Sequence, residues 1–256
     1  ACIMSHLAGC TMVPVNIGGL KDGVHPKIRN RVVRYGTGNI AEGPAMTREE
    51  CVQAILTGVD TVRDLKAEGY DLIVTGEMGI GNTTTSSACA AVLFDQAPEV
   101  VTGRGAGLST EGLNKKVRAI ERAIEVNRPD KTDAIDVISK VGGLDIAGMV
   151  GCYLGAAYCH LPILIDGFIS AISAYLTTML CENAKEYMIP THGSAEPAAK
   201  LVMEHLGMQA PIQAGMHLGE GTGAIMGLSL IDQGLNVYYH VATWDGAHVE
   251  AYTHQK

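Results

Sequence analysis

Short apolar runs bounded by turn residues alternate along this chain with longer stretches of helical period. Asp71-Leu72-Ile73-Val74-Thr75 reads as a buried strand, followed by a glycine-rich turn and a helix of small residues from about 83 to 94. Residues 161–166 form a second such strand, with a helix from about 168 to 183 behind it. Residues 187–190 form a third, followed by a loop and a helix at about 197–206. Helical period also fits 47–68, 110–127, 143–160 and 223–234, and Thr47 with Glu50 makes a capping box at the start of the first of these. Met12-Val13-Pro14-Val15-Asn16-Ile17 is strand-like, and residues 238–256 read as a strand, a short helix and a polar tail. Strand–helix alternation predicts an α/β fold: a mostly parallel sheet covered by helices on both faces, binding its ligand beyond the carboxyl ends of the strands.

Composition narrows the function. Apolar types make up 47% of the 256 residues and charged types 18%, enough for a sizeable core. Lys+Arg of 19 against Asp+Glu of 27 gives −8, a poor match for duplex nucleic acid or an anionic membrane. Glycine is enriched at 31 of 256, about 12% against a usual ~7%, while aromatics are only 5%. That balance favours backbone-built loops for small polar ligands over stacking platforms. The seven cysteines contain no CxxC pair and read as buried thiols of a reducing cytoplasm, with no disulfide frame and no metal site. No apolar stretch reaches the ~18 residues of a membrane span. The chain starts at Ala1 and runs almost at once into a strand-like segment, so a natural N-terminal segment is expected to be missing.

The sharpest motif is Gly76-Glu77-Met78-Gly79-Ile80-Gly81-Asn82-Thr83-Thr84, between a strand and a helix. Its glycine spacing copies a P-loop, but Asn82 stands where the lysine belongs. What remains, a glycine turn and N–H groups at a helix N-terminus, suits one phosphate monoester. Glu77 beside it could orient a ribose hydroxyl or simply be solvated. In Leu218-Gly219-Glu220-Gly221-Thr222-Gly223-Ala224 a carboxylate is flanked by glycines ahead of an apolar helix. It suits a general base in a partly dry pocket, or a glutamate that only stabilises the helix start. Gly103-Arg104-Gly105-Ala106-Gly107 precedes a helix carrying Lys115, Lys116 and Arg118, a source for the cation that the altered P-loop lacks or a plain solvated face. His192-Gly193-Ser194-Ala195-Glu196 follows a strand on the same edge. Asp166-Gly167-Phe168 matches a kinase tripeptide by chance, since the other kinase parts are absent.

Taken with Gly36–Met46 (GTGNIAEGPAM), Val141–Ala147 (VGGLDIA) and Leu161–Ile169 (LPILIDGFI), these motifs are in the order and spacing of a known family. The chain resembles the nicotinate-nucleotide–dimethylbenzimidazole phosphoribosyltransferases, which activate the lower ligand of cobalamin. The resemblance implies a Rossmann-like catalytic domain over 1–235, with 236–256 contributing to a small helical subdomain that is partly missing at the N-terminus, and a cytoplasmic homodimer. It implies transfer of phosphoribose from nicotinate mononucleotide to a benzimidazole nitrogen, giving nicotinate and α-ribazole 5′-phosphate, with no cofactor or metal. By matching position, Glu220 is the general base and Glu77 lies beside the ribose. Gly79, Gly81, Asn82, Thr83 and Lys116 hold the phosphate and ribose, Ser194 lines the pocket, and Gly219 and Gly221 shape it. Asp145 replaces the family's more common Glu, Gly193 stands where a basic residue is often seen, and Ala198-Ala199 replaces the usual Gly-His. Two competing readings are a mononucleotide-binding module without turnover, and the same transfer to a purine or phenol.

Overall fold

The computed structural model describes residues 1–250 and 253. In chain order it contains α1 (Cys2–Leu7), β1 (Val15–Asn16), β2 (Arg29–Asn30), α2 (Arg48–Ala67), β3 (Ile73–Val74), α3 (Asn82–Leu93), α4 (Pro98–Val101), α5 (Thr110–Asn127), α6 (Ala134–Val141) and α7 (Leu144–Tyr158). Then follow β4 (Ile163–Ile165), α8 (Phe168–Leu180), a 3₁₀ turn (Glu182–Tyr187), β5 (Met188–Pro190), β6 (His192–Ser194), α9 (Ala199–Leu206), β7 (Ile212–Met216) and α10 (Thr222–His240). Every strand pairing is parallel. β4 lies at the centre of a β3-β4-β5 sheet. β5 and β6 are nearly one run of chain broken at Thr191, its first half pairing with β4 and its second with β7.

All three residues of β4 are buried, as expected of a parallel strand covered on both faces. Around it α7 and α8 are apolar almost throughout, and α2 presents one apolar face to α7. Those two helices approach to backbone contact. A methyl group added at Gly58 would lie 2.0 Å from the Gly148 carbonyl oxygen, and one at Gly151 would lie 1.9 Å from that of Ile55. Only residues without a side chain allow so close a crossing. The capping box at Thr47 is formed: its hydroxyl accepts from Glu50 N, and the Glu50 carboxylate accepts from Thr47 N.

A buried polar cluster ties the strand ends together. Thr75 Oγ1, just past β3, lies 2.6 Å from Ser170 Oγ and 3.1 Å from Tyr153 Oη. Ser170 Oγ also accepts from Asp166 N at the end of β4 (3.1 Å). Buried groups satisfied in this way hold their neighbours in one geometry, so the loops that leave β3 and β4 start from fixed points.

The structure departs from the sequence expectations in several places. The strand expected from residue 238 is instead the last turn of α10, which also runs through 235–236; the expected polar tail falls largely on residues outside those described. β7 and α6 have no counterpart among the elements expected from the sequence. The thiols are less uniformly buried than expected: Cys51 and Cys89 are buried, but Cys2 and Cys181 are exposed. Burial pushes the Cys51 and Cys152 thiols up to about 12, which keeps them protonated and unreactive. Among the described residues no helix is long and apolar enough to cross a membrane.

Candidate active site

The loops that follow β3, β4, β6 and β7 converge at the carboxyl edge of the strands, where ligands of open parallel sheets bind. The 76–81 and 218–221 loops meet there backbone to backbone. A methyl group at Gly76 would lie 2.6 Å from Gly221 N and 2.8 Å from the Glu220 carbonyl carbon. One at Gly219 would lie 2.7 Å from Glu77 Oε1. The loops that carry the two glutamates singled out in the sequence are therefore in contact. Glu220 itself adopts φ 58°, a left-handed conformation rare for a residue with a side chain. Its carboxylate is 43% exposed, and Oε2 lies 3.3 Å from the Ala1 ammonium. The expected dry environment is found at Glu77 instead, whose carboxyl is raised by burial while its hydrogen bond from Asn82 opposes the shift.

Asn82 opens α3 directly after Gly81, whose φ of 85° makes the turn. Its amide donates to Glu77 Oε2 and to Asp145 Oδ2, the latter at 2.8 Å. Asn82 is therefore a clamp between two carboxylates, with both amide protons engaged. Gly79 lies in the same knot, where an added methyl would sit 2.6 Å from Asp145 Oδ2 and 2.7 Å from Asn82 Nδ2.

At the next residue of the helix the charge reverses. Buried Lys116, from α5, donates to Thr83 Oγ1 (2.9 Å) and to the Gly103 carbonyl (3.0 Å). Burial holds its pKa below the usual lysine value, with Glu196 pulling the other way. A buried cation beside the start of α3 restores the positive charge missing from the loop. Glu196 packs against Gly103, and its Oε2 is buried without a hydrogen-bond partner. Ser194 lies across the cleft, its Cβ 3.9 Å from the position of a methyl on Gly167.

Sequence reasoning gives no role to three groups at this edge. Asp145 stands out there only as a departure from the family pattern. Asp166 falls in a chance tripeptide, yet its buried carboxylate accepts from Gly221 N (3.1 Å) and Ala224 N (3.0 Å). Buried His192 lies 4.0 Å from Asp166 Oδ1, its pKa lowered by burial against the pull of that carboxylate. The position of Asp166 at the end of a buried parallel strand is the available signal. A void of about 10 Å³ between Asp166, His192 and Ser194 has room for about one water. A separate groove of about 340 Å³, lined by Arg31, Val33 and Gln53 among others, involves none of the loops that follow β3, β4, β6 and β7. Among the described residues no cluster of three His, Cys, Asp or Glu side chains is arranged to hold a metal ion.

At its carboxyl edge this parallel α/β sheet therefore gathers a glycine turn, a buried cation and the contacting loops of Glu77 and Glu220, where open sheets of this class bind their ligands. The chain belongs to the family described as Phosphoribosyltransferase (DBI_PRT), whose model matches residues 1–249. It is 49% identical over 247 residues to the nicotinate-nucleotide–dimethylbenzimidazole phosphoribosyltransferase of Acetivibrio thermocellus, covering 96% of this chain and 70% of that protein. It is 45% identical over 250 residues to the protein of the same name from Ruminiclostridium cellulolyticum, covering 98% and 71%. Among solved structures it resembles CobT from Thermus thermophilus, with a TM-score of 0.90 at 35% identity over 98% of this chain and 76% of that one.

Proposed function

We propose that this chain transfers phosphoribose from nicotinate mononucleotide to a nitrogen of a benzimidazole, releasing nicotinate and forming α-ribazole 5′-phosphate for cobalamin assembly. The observation that carries this reading is the backbone contact between the Glu77 and Glu220 loops, on the same turn that runs into α3 and its Lys116–Thr83 pair. One mononucleotide can then be held at its phosphate and worked on at C1′. Lys116, the Thr83 hydroxyl and the start of α3 take the phosphate; Gly79, Gly81 and Asn82 shape the turn, Ser194 lines the cleft, and Gly219 and Gly221 keep the base loop close.

The chemistry balances without a cofactor. The bond from C1′ to the pyridinium nitrogen breaks and its electron pair neutralises the ring, so nicotinate leaves without a general acid. The unprotonated azole nitrogen attacks C1′ from the opposite face, inverting the anomeric centre, and the proton on the other azole nitrogen passes to Glu220. A positioned carboxylate base contributes typically ~10²–10⁴-fold. Glu77 faces the positive charge that develops on the sugar. We place the enzyme in the cytoplasm as a homodimer, with 236–256 part of a small helical subdomain; exposed Leu235, Val237, Tyr238 and Tyr239 on α10 support a further surface covering that helix.

Nicotinate release measured with and without benzimidazole tests the reading. Release that depends on benzimidazole, and falls about 10²-fold or more in Glu220→Gln while nucleotide affinity holds, is the expected result. Nucleotide binding without release under either condition would leave a binding module, and near-normal turnover in Glu220→Gln would remove that residue as the base.

A further inference from the structure

The first turn of α10 lacks the means to cap itself. Its N-cap is Gly221 and its third residue is Ala224, neither of which has a polar side chain. In a capping box those two positions satisfy each other's backbone N–H groups. Here the single carboxylate of Asp166 does both jobs from β4, Oδ2 accepting from Gly221 N and Oδ1 from Ala224 N. The residue just before that cap is Glu220, held at φ 58°. Gly76 closes the same loop from the other side, with no room for a methyl group against Gly221 N. His192 fills the remaining side, because a methyl on Gly223 would overlap its ring at 1.8 Å from Nδ1. Asp166 is in turn fixed by the bond from its own N–H to Ser170 Oγ, within the polar cluster that ties β3 to β4.

We propose that Asp166 is a positioning residue for the transfer reaction: its buried carboxylate, by capping α10 from the neighbouring strand, holds the Glu220 backbone in the left-handed conformation that aims the base at the acceptor. Asp166 is buried, with both carboxylate oxygens engaged by the backbone of α10. It acts through Glu220, so the inference rests on the reading of Glu220 as the base. An asparagine at 166 keeps one acceptor but turns an N–H₂ group toward a backbone N–H, so one end of the cap opens and the loop relaxes. Misplacement of a catalytic group by about 1 Å can cost ~10²-fold in rate.

The test is a cycle of Asp166→Asn, Glu220→Gln and the double variant, each assayed for kcat and nucleotide KM and checked for folding by thermal unfolding. Asp166→Asn is expected to lower kcat about 10- to 100-fold while nucleotide KM moves less than about threefold. In the Glu220→Gln background it is expected to have no further effect, because there is no base left to misplace. A residue that merely stabilised the fold would lower the double variant further. If Asp166→Asn turns over within about threefold of the wild type while Glu220→Gln is crippled, the inference falls and the base assignment stands. The inference falls in the same way if the two losses multiply. If Glu220→Gln is itself active, the base assignment falls and takes the inference with it. Asp166→Ser, smaller and uncharged with one acceptor, is the second variant should Asp166→Asn not fold, and the same outcomes apply to it. If neither folds, Asp166 serves the fold rather than Glu220, and the inference is overturned.

Discussion

Gly76→Ala adds one methyl group to the seam between the two glycine loops. The glycine has no unusual φ to preserve, so the effect is one of space alone. The new carbon would meet Gly221 N at 2.6 Å, the Glu220 carbonyl carbon at 2.8 Å and Gly221 Cα at 2.9 Å, all backbone atoms that cannot rotate away. Restoring an ordinary contact of about 3.4 Å requires Gly221 N to retreat by about 0.8 Å. That atom is held by Asp166 Oδ2 at 3.1 Å, so the retreat strains the α10 cap and carries Glu220 with it. Overpacking of this kind costs about 1–3 kcal/mol, and in a chain of this size each kcal/mol lowers Tm by about 2–4 °C. The variant therefore stays folded at assay temperature, while a base displaced by nearly 1 Å loses ~10²-fold in kcat. The Lys116–Thr83 end does not touch the seam, so nucleotide KM is expected to change by less than about threefold. Initial rates of nicotinate release at saturating benzimidazole read both parameters. The control is Gly234→Ala, on α10, where an added methyl meets nothing within 4 Å. It should leave kcat unchanged and add about 0.5–1 kcal/mol of stability. Wild-type kcat in folded Gly76→Ala would refute the claim that contact between these loops sets the base.

Lys116→Met removes the cation beside α3 while keeping the aliphatic stem. Loss of a charge-assisted contact of about 1.5–3 kcal/mol should raise nucleotide KM roughly 10- to 150-fold with a smaller change in kcat, as read by initial rates over a nucleotide series. Glu77→Gln should lower turnover yet raise Tm near pH 7. The Glu77 carboxyl is raised in the folded state, chiefly by burial, so its contribution to stability is present below the ordinary carboxyl range and lost as pH rises through the folded value. The Tm advantage of the variant should accordingly shrink as pH falls from 7 toward about 4.5, the ordinary glutamate value, and a variant less stable than wild type at pH 7 would contradict that sign. Gly151→Ala places a carbon 1.9 Å from the Ile55 carbonyl oxygen at the α2–α7 crossing. It should cost upwards of about 3 kcal/mol, visible as a lowered denaturant midpoint or loss of soluble protein.

The run at 163–165 is readable as a parallel strand because burial on both faces leaves it uninterrupted, and the shorter runs at 73–74 and 188–190, each buried at its first residue, flank it as apolar segments bounded by turn residues. β7 is not, since Ile212-Gln213-Ala214-Gly215-Met216 lies at the sheet edge with its middle residues exposed. α6 spans only eight residues, too short for its period to stand out between Asp133 and the Gly142-Gly143 pair. Val237-Tyr238-Tyr239 carries the β-branched and aromatic composition of a strand, but it continues a helix already propagating from Thr222. Among the candidate site residues, Glu77, Asn82 and Glu220 stand out because each lies in a glycine motif, whereas Lys116 is one of three basic residues on its helix and only the resemblance singles it out. The partners that orient them do not. Asp145 reaches Asn82 across 63 residues and Asp166 reaches Gly221 across 55, distances at which no local pattern identifies a hydrogen bond.

A crystal structure with nicotinate mononucleotide bound tests most directly whether one nucleotide bridges the two glycine loops. The phosphate is expected within hydrogen-bonding distance of Lys116 Nζ or the Thr83 hydroxyl at the start of α3, with C1′ between the carboxylates of Glu77 and Glu220. A phosphate seated away from α3, or a C1′ that faces neither carboxylate, would contradict it.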